Sequence, residues 1–328
     1  MGGYISYFYK QTENEKESNE TETNESKTNN NDNIEETLII DKESEFETEN
    51  DTKTKIEETL IIEKENVIDE QIKEEKIQRK YLWKKQKKDT RDKHNYFCLN
   101  INKDSVDLRS YCPKVYSQGT IGSCTANAIC GAYEYDYMKN QRKKNKQSIF
   151  SPSRLFLYYN ERSMENTVGT DSGAEIRDGM KSINKVGVCS EKEWPYDTSK
   201  FTDKPSESCY KDAIKHESIM YGSLKQTLEQ LKSSLLSGYP FVFGFLVYKS
   251  FESDAVAKTG IMTMPTNNDT QLGGHAVMAV GFDDSKQVFI IRNSWGEKWG
   301  DKGYFYMPYE YIKDTNLCSD FWVMKTVI

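Results

Sequence analysis

Histidine is scarce in this chain: His94, His216 and His275 are the only three in 328 residues, so any imidazole chemistry has few candidates. Its seven cysteines, at 98, 112, 124, 130, 189, 209 and 318, are odd in number and thinly spread. That excludes a disulfide framework, and no pair has the C-x-x-C spacing of a zinc or redox site. No run approaches the ~18 apolar residues of a membrane span. Residues Met1 to Lys10 lack the basic and apolar regions of a secretory signal. These absences point to reduced thiols in a cytoplasmic compartment, to a chain that is not secreted, and to no metal.

What is present is unevenly placed. Residues 1–70 carry 21 acidic and 7 basic side chains, net −14, and the rest carry 31 and 38, net +7. An acidic arm joined to a mildly basic body is expected. Residues 11–55 have almost nothing to bury, so conformational entropy favours disorder. Two near-identical islands interrupt the tract, Ile34 to Glu43 and Ile56 to Glu65, differing only at Asp41 and Glu63. A repeated linear motif is one reading; duplication within a low-complexity tract is preferred. From 71 to 93 the chain turns basic, with Lys84, Lys85, Lys87, Lys88, Arg91 and Lys93. Tyr81, Leu82 and Trp83 alongside admit a nucleic-acid patch, but a solvated linker is preferred and no nucleic-acid partner is expected. The division expected is therefore 1–93 as an extension, with the possible role of a propeptide, and 94–328 as the globular domain.

Within the domain, helices precede strands. Ser123 to about Lys139 has Ala126, Cys130, Tyr133 and Tyr137 on one helical face. Ser151-Pro152 reads as a cap followed by proline at the first helical position. A third helix is expected over Ala174 to Val186, and a fourth from Ser223 with Gln226 completing a capping box. Beyond these, Phe241–Tyr248, His275–Phe282, Gln287–Arg292 and Gly303–Met307 are short β-rich runs. The order implies an α+β fold with two lobes and a site at their seam.

Chemistry concentrates in three places. Gln118-Gly119-Thr120-Ile121-Gly122-Ser123-Cys124 delivers a cysteine to the first turn of a helix, where the dipole and free N–H groups stabilise a thiolate. Cys130, Cys189 and Cys318 have apolar contexts and read as buried, inert thiols. His275, in Gly273-Gly274-His275-Ala276-Val277, feeds an apolar strand; His94 falls in the linker and His216 in a polar loop. Taken alone, a histidine beside a strand is more often structural. Asn293, in Arg292-Asn293-Ser294-Trp295-Gly296, offers an amide oxygen to the second imidazole nitrogen, as an acidic residue does in a serine triad. Trp295 can shield that bond. Gln118 and the Cys124 backbone N–H can together receive an oxyanion.

These blocks, in the order Gln-loop-Cys-helix, Gly-His-Ala-Val and Asn-Ser-Trp-Gly-x-x-Trp-Gly (Asn293 to Gly300), resemble the papain-like cysteine peptidases. The resemblance runs from Val106-Asp107-Leu108-Arg109, which is similar to that family's mature N-terminus, to near Ile328. The Cys–His separation is 151 residues and the Cys–Asn separation 169, near the ~130–150 usual for papains. It implies a papain-like two-lobe fold, protein or peptide substrates, no cofactor, and a thiol pKa lowered to roughly 3–4. Catalysis then falls to Cys124, His275, Asn293 and Gln118. Ser172-Gly173-Ala174 matches the strip that pairs with an extended peptide, although Ala174 stands where glycine is usual. Gly274, just before the histidine, and Trp295, two residues past the asparagine, are also expected to bind substrate. Ala276 lines the second subsite and Phe321-Trp322-Val323 floors it, implying a hydrophobic preference.

The sequence also departs from the family. The secreted signature Cys-Gly-Ser-Cys-Trp is here Ile121-Gly122-Ser123-Cys124-Thr125, removing half of a disulfide usual in secreted members. Residues 1–93 lack the family's usual inhibitory helical motif. The core is more similar to the cytosolic branch seen in bacteria and large DNA viruses, so host cytoplasm or a virion is the expected location if the chain is viral. No histidine-bearing loop of a carboxypeptidase is evident, and a cysteine endopeptidase is the preferred function. A transpeptidase on the same acyl-enzyme and a catalytically silent peptide-binding module are the alternatives. Met1-Gly2-Gly3-Tyr4-Ile5-Ser6 fits the N-myristoylation pattern; one acyl chain at Gly2 would give only weak membrane association.

Overall fold

The computed structural model describes residues 78–94, 97, 103–144 and 150–326. The chain divides into two units, Met1–Lys76 and Ile77–Ile328, and the described residues all belong to the second. The boundary expected at 93/94 thus falls inside a compact unit. The myristoylation pattern at Gly2, both copies of the repeat and Cys98 lie outside the described residues.

A helical layer comes first. Helix α1 (Cys124–Lys143) is buried on nearly every side from Cys124 to Asp136, because it runs between the other helices and the sheet. Against it pack α2 (Arg154–Met164) and α3 (Ile176–Lys185), and the short α4 (Glu207–Ala213) lies on α2, where Tyr210 meets Phe156 and Asn160. Helix α2 begins later than the sequence suggests. Ser153, not Ser151, is its cap, and its side chain accepts from the Phe156 N–H. Ser151 and Pro152 instead pair with the segment at Ser190 and Glu191, with the Ser151 carbonyl accepting from Glu191 N at 2.7 Å.

The second layer is one antiparallel sheet. Its strands are β1 (Ser105–Asp107), β2 (Ser218–Ser223), β3 (Phe241–Tyr248), β4 (Gln271–Asp283), β5 (Val288–Arg292), β6 (Tyr304–Pro308) and β7 (Cys318–Thr326), with α5 (Leu228–Leu236), α6 (Asp254–Thr259) and α7 (Tyr309–Lys313) between them. The order is β2-β7-β3-β4-β5-β6, and β1 pairs with the far end of β4. Strand β4 is the keel: it pairs with β3 through its first half and with β5 and β1 through its second.

Ser223 does not open a helix. It ends β2, paired with Trp322 of β7, and α5 is capped by Thr227, whose hydroxyl accepts from Gln230 N. Gln226, expected in a capping box, donates its amide to the Ile312, Asp314 and Cys318 carbonyls. The local signal lost to a pairing almost a hundred residues away in sequence, which a capping pattern does not register.

Candidate active site

The loop that leads to Cys124 is pinned before α1 begins. Gln118 N donates to Ser294 O at 2.9 Å, the Ser294 hydroxyl donates to Gln118 Oε1 at 2.6 Å, and Gln118 Nε2 donates to Ile121 O at 3.1 Å. The amide is thereby held with its nitrogen turned away from Ser294. Gly122 N donates to Asp171 Oδ1 at 2.9 Å, and the same oxygen accepts from Tyr158 OH. Tyr158 OH in turn accepts from Gly173 N. The loop, which lacks the first cysteine of the secreted signature, is tethered by a carboxylate and a phenol. Nothing in the sequence singled out Asp171 or Tyr158.

Cys124 is the first residue of α1 and is fully buried. Backbone N–H groups of Cys124, Thr125 and Ala276 act on its sulfur, so β4 reaches the helix start one residue past His275. His275 Nε2 and Asn293 Oδ1 are 2.9 Å apart, and Ser294 N also donates to that oxygen. Trp295 stacks on the imidazole with centroids 5.1 Å apart and planes 25° from parallel, covering the bond as expected. The other ring nitrogen, Nδ1, is buried and has no hydrogen bond among the described residues. Thr125, where the secreted signature has tryptophan, donates at 2.8 Å to Glu161, a fully buried carboxyl that burial pushes well above its usual pKa.

His94 and His216 lie elsewhere. Nδ1 of His94 meets the Ser223 hydroxyl at 2.6 Å, and His216 stacks on Phe150 with centroids 3.8 Å apart. Cys130, Cys189 and Cys318 are buried, and burial raises all three thiols.

The segment expected to be a free linker lies across the cleft. We call residues 78–94 the strap. Trp83 N donates to Gly274 O at 3.0 Å, Gly274 N to Tyr81 O at 3.2 Å, and Lys84 N to Ala174 O at 3.2 Å. The strap is therefore strung between the two lobes on the backbone groups that the resemblance assigns to substrate. Leu82 sits against Gly122 and Gly173, Tyr81 against Gly273, and Trp83 against Gly244 and Gly274; a Cβ on any of these five glycines would overlap it. Of the other residues expected to bind substrate, Ser172 turns its hydroxyl to Thr167 and Gly173 O, and Ala276 is buried in β4 beside the thiol.

Ions and amides anchor the ends. Arg79 pairs with Glu252 and lies 4.2 Å over the Trp295 ring. Lys80 pairs with Asp171 and Lys84 with Glu165. Asp320 accepts from Gln86 N, Arg177 clasps Asp92 and the Lys87 carbonyl, and Ser223 N donates to Lys93 O. The solvated linker of the sequence reading is instead a bound segment: Tyr81, Leu82 and Trp83 pack in the cleft, and Arg79, Lys80, Lys84 and Asp92 find partners beside it.

Burial dominates the electrostatics of the site. Burial, opposed by the neighbouring N–H groups, pushes the Cys124 thiol up to about 12. Burial also brings His275 down to about 4, against the pull of its bond to Asn293 and with help from the Arg79 charge. Both shifts favour the neutral forms of Cys124 and His275, whereas the resemblance implies a low-pKa ion pair. Low polarity disfavours charge separation, and a strap cation beside the imidazole adds to it.

Comparison with known proteins agrees with this geometry. The profile described as "Papain family cysteine protease" matches residues 102–321. The chain belongs to the papain family of cysteine peptidases. This peptidase is 44% identical to xylellain, a cysteine protease from Xylella fastidiosa, with a TM-score of 0.68 over 76% of this chain and 96% of that one. It is 50% identical, over 64% of its own length and 69% of the relative's, to an uncharacterized peptidase C1-like protein of Acanthamoeba polyphaga mimivirus. Procathepsin L 3 from the larval midgut of Tenebrio molitor, at 20% identity and a TM-score of 0.54, shares the fold. The peptidase spans about half the length of some other relatives, such as 51% of the thiol protease aleurain of Arabidopsis thaliana.

Proposed function

We propose that the chain is a cysteine endopeptidase acting through Cys124, His275 and Asn293, and that residues 78–94 hold it silent until they are displaced. The observation that carries the reading is the His275–Asn293 bond of 2.9 Å under Trp295, with Cys124 at the start of α1 against the Ala276 N–H. Once the cover leaves, water and the helix N-terminus favour thiolate and imidazolium. The thiolate attacks a peptide carbonyl, and the negative oxygen is received by the Cys124 N–H and a Gln118 amide hydrogen. His275 gives its proton to the departing amine, Asn293 keeping the ring turned toward it. Water, deprotonated by the same ring, then cleaves the thioester.

Two features favour this over the alternatives. The strap passes right through the cleft, from Glu252 at one end to Ser223 at the other, so a chain interior fits and an endopeptidase is preferred to an end-trimming enzyme. The strap is also bound as a non-substrate. Gln118 Nε2 donates to Ile121 O rather than to a strap carbonyl, while Tyr81 O is taken by Gly274 N. A silent binding module would have no use for the buried His–Asn pair. Turnover by the uncovered enzyme is the test. Cys124→Ala should abolish peptide hydrolysis and labelling by a thiol-directed epoxide, and Gln118→Ala should lower kcat by about 10²–10³. Undiminished hydrolysis by Cys124→Ala would end the reading.

A further inference from the structure

Resting on the peptidase reading above, we propose that Thr125 and Glu161 are a positioning pair for the nucleophile: the carboxyl on α2 grips the threonine hydroxyl and so holds the first turn of α1 with its N–H groups on the Cys124 sulfur. Thr125 follows Cys124 directly, and both are fully buried. The Thr125 N–H is one of the three backbone groups that act on the sulfur. Its hydroxyl donates to Glu161 Oε2 at 2.8 Å, which ties α1 to α2 beside the site. A capping side chain ordinarily accepts from the second or third N–H of a helix, here those of Thr125 and Ala126. Ser123, in the cap position, makes no such bond. Its hydroxyl meets Tyr196 and the Asn127 amide instead. A conventional cap would compete with a thiolate for the same N–H groups. The turn is therefore fixed from the side, through Thr125, and its donors stay with the sulfur.

Glu161 is a costly anchor for a purely structural task, since a buried oxygen without a partner destabilises a fold. Its Oε1 is buried and has no hydrogen bond among the described residues. A Cβ on Gly179 of α3 would overlap that oxygen, so α3 makes room for it. The neighbouring Arg162 turns its guanidinium to the Tyr158, Val168, Thr170 and Phe201 carbonyls and not to Glu161. A buried carboxyl lacking a paired cation stays protonated. As a neutral acceptor it secures Thr125 without setting a negative charge beside the thiolate. A glutamine can do the same; an alkyl side chain cannot.

The full-length chain carrying Trp83→Ala is the background for the test, because that change loosens the strap without touching the pair. In it, Thr125→Val and Glu161→Leu should each lower kcat by about tenfold with KM within about twofold, as for loss of one buried hydrogen bond. Each should also move the midpoint of the alkylation–pH curve of Cys124, followed by mass spectrometry, up by about one pH unit. Glu161→Gln and Thr125→Ser keep the bond and should stay within about twofold of the background. The double variant should be no worse than the poorer single one, since both remove one interaction. Thr125→Val is nearly isosteric and carries the test alone if melts show that Glu161→Leu does not fold. A merely structural bond would lower the melting temperature and leave the midpoint in place. A midpoint unmoved by Thr125→Val, equal losses for Glu161→Gln and Glu161→Leu, or additive losses in the double variant would overturn the proposal. A raised midpoint with no peptide hydrolysis by any variant would keep the pair and remove the peptidase reading; hydrolysis with an unmoved midpoint would do the reverse.

Discussion

The residues proposed to be catalytic and the strap that lies over them are held by different forces. Gln118, His275 and Asn293 are fixed by buried hydrogen bonds to Ser294, Asn293 and backbone groups, and Thr125 beside the nucleophile is fixed by Glu161. The strap sets the Leu82 and Trp83 side chains against Gly122, Gly244 and Gly274 and the Tyr81 ring edge-on to His275 and Trp295, and its flanks rely on partly exposed ion pairs. Burying a large apolar side chain contributes about 1.5–3 kcal/mol, whereas an exposed ion pair contributes about 0.2–1 kcal/mol. The first assembly is permanent. The second depends on a few side chains and is separable.

Breaking the permanent side should have the largest effect. Asn293→Ala leaves His275 without its orienting partner, and kcat of the uncovered enzyme should fall by on the order of 10²–10⁴, by analogy with loss of the orienting acid in a serine triad. Next comes the centre of the strap. Trp83→Ala should cost its docking about 3–5 kcal/mol, as for other tryptophan truncations in packed sites, and the full chain should gain peptidase activity in a direct assay. The pair beneath the nucleophile gives a smaller, pH-dependent effect. Burial keeps Glu161 protonated in the fold, with Glu165 and Asp178 adding to the shift and the Thr125 bond and Arg162 opposing it. Above its usual pKa of about 4.5 the unfolded chain releases that proton. The folded state then binds more protons, so stability falls as pH rises, by up to about 1.4 kcal/mol per unit. Urea melts at pH 5, 6 and 7 should show a shallower decline for Glu161→Gln than for the natural chain. Smallest of all, Lys80→Ala or Lys84→Ala should loosen the strap by no more than about 1 kcal/mol each, a slight rise in basal hydrolysis that added salt mimics.

How legible each part was follows the same division. With three histidines and a cysteine at a helix start, the proposed trio of Cys124, His275 and Asn293 stood out from residue type and context, and strands β3 to β6 were visible because each is a dense apolar run. Strands β2 and β7 pair across a long separation; β2 has no pattern that stands apart from its neighbours, and Phe321-Trp322-Val323 of β7 reads as a subsite floor and not as a strand. Ser153 and Thr227 cap helices that equally plausible residues nearby appeared to start. Asp171, which ties Gly122 to Tyr158 and Lys80, has no motif at all. The strap was hidden for another reason: its signal is divided between Tyr81-Leu82-Trp83 and glycines at 122, 173, 244, 273 and 274. A charged segment with three apolar residues reads as a linker until the surface that receives them is known.

The central claim is that an otherwise competent Cys124 is silenced by residues 78–94, and its reactivity tests that most directly. The alkylation rate of Cys124 in the full chain should be followed by mass spectrometry before and after limited proteolysis within the strap. The account predicts slow modification of the intact chain and a rise of about 10² or more once the strap is cut, with Cys124 the residue modified and the raised thiol pKa relaxing toward neutrality. Equal rates before and after the cut would contradict it.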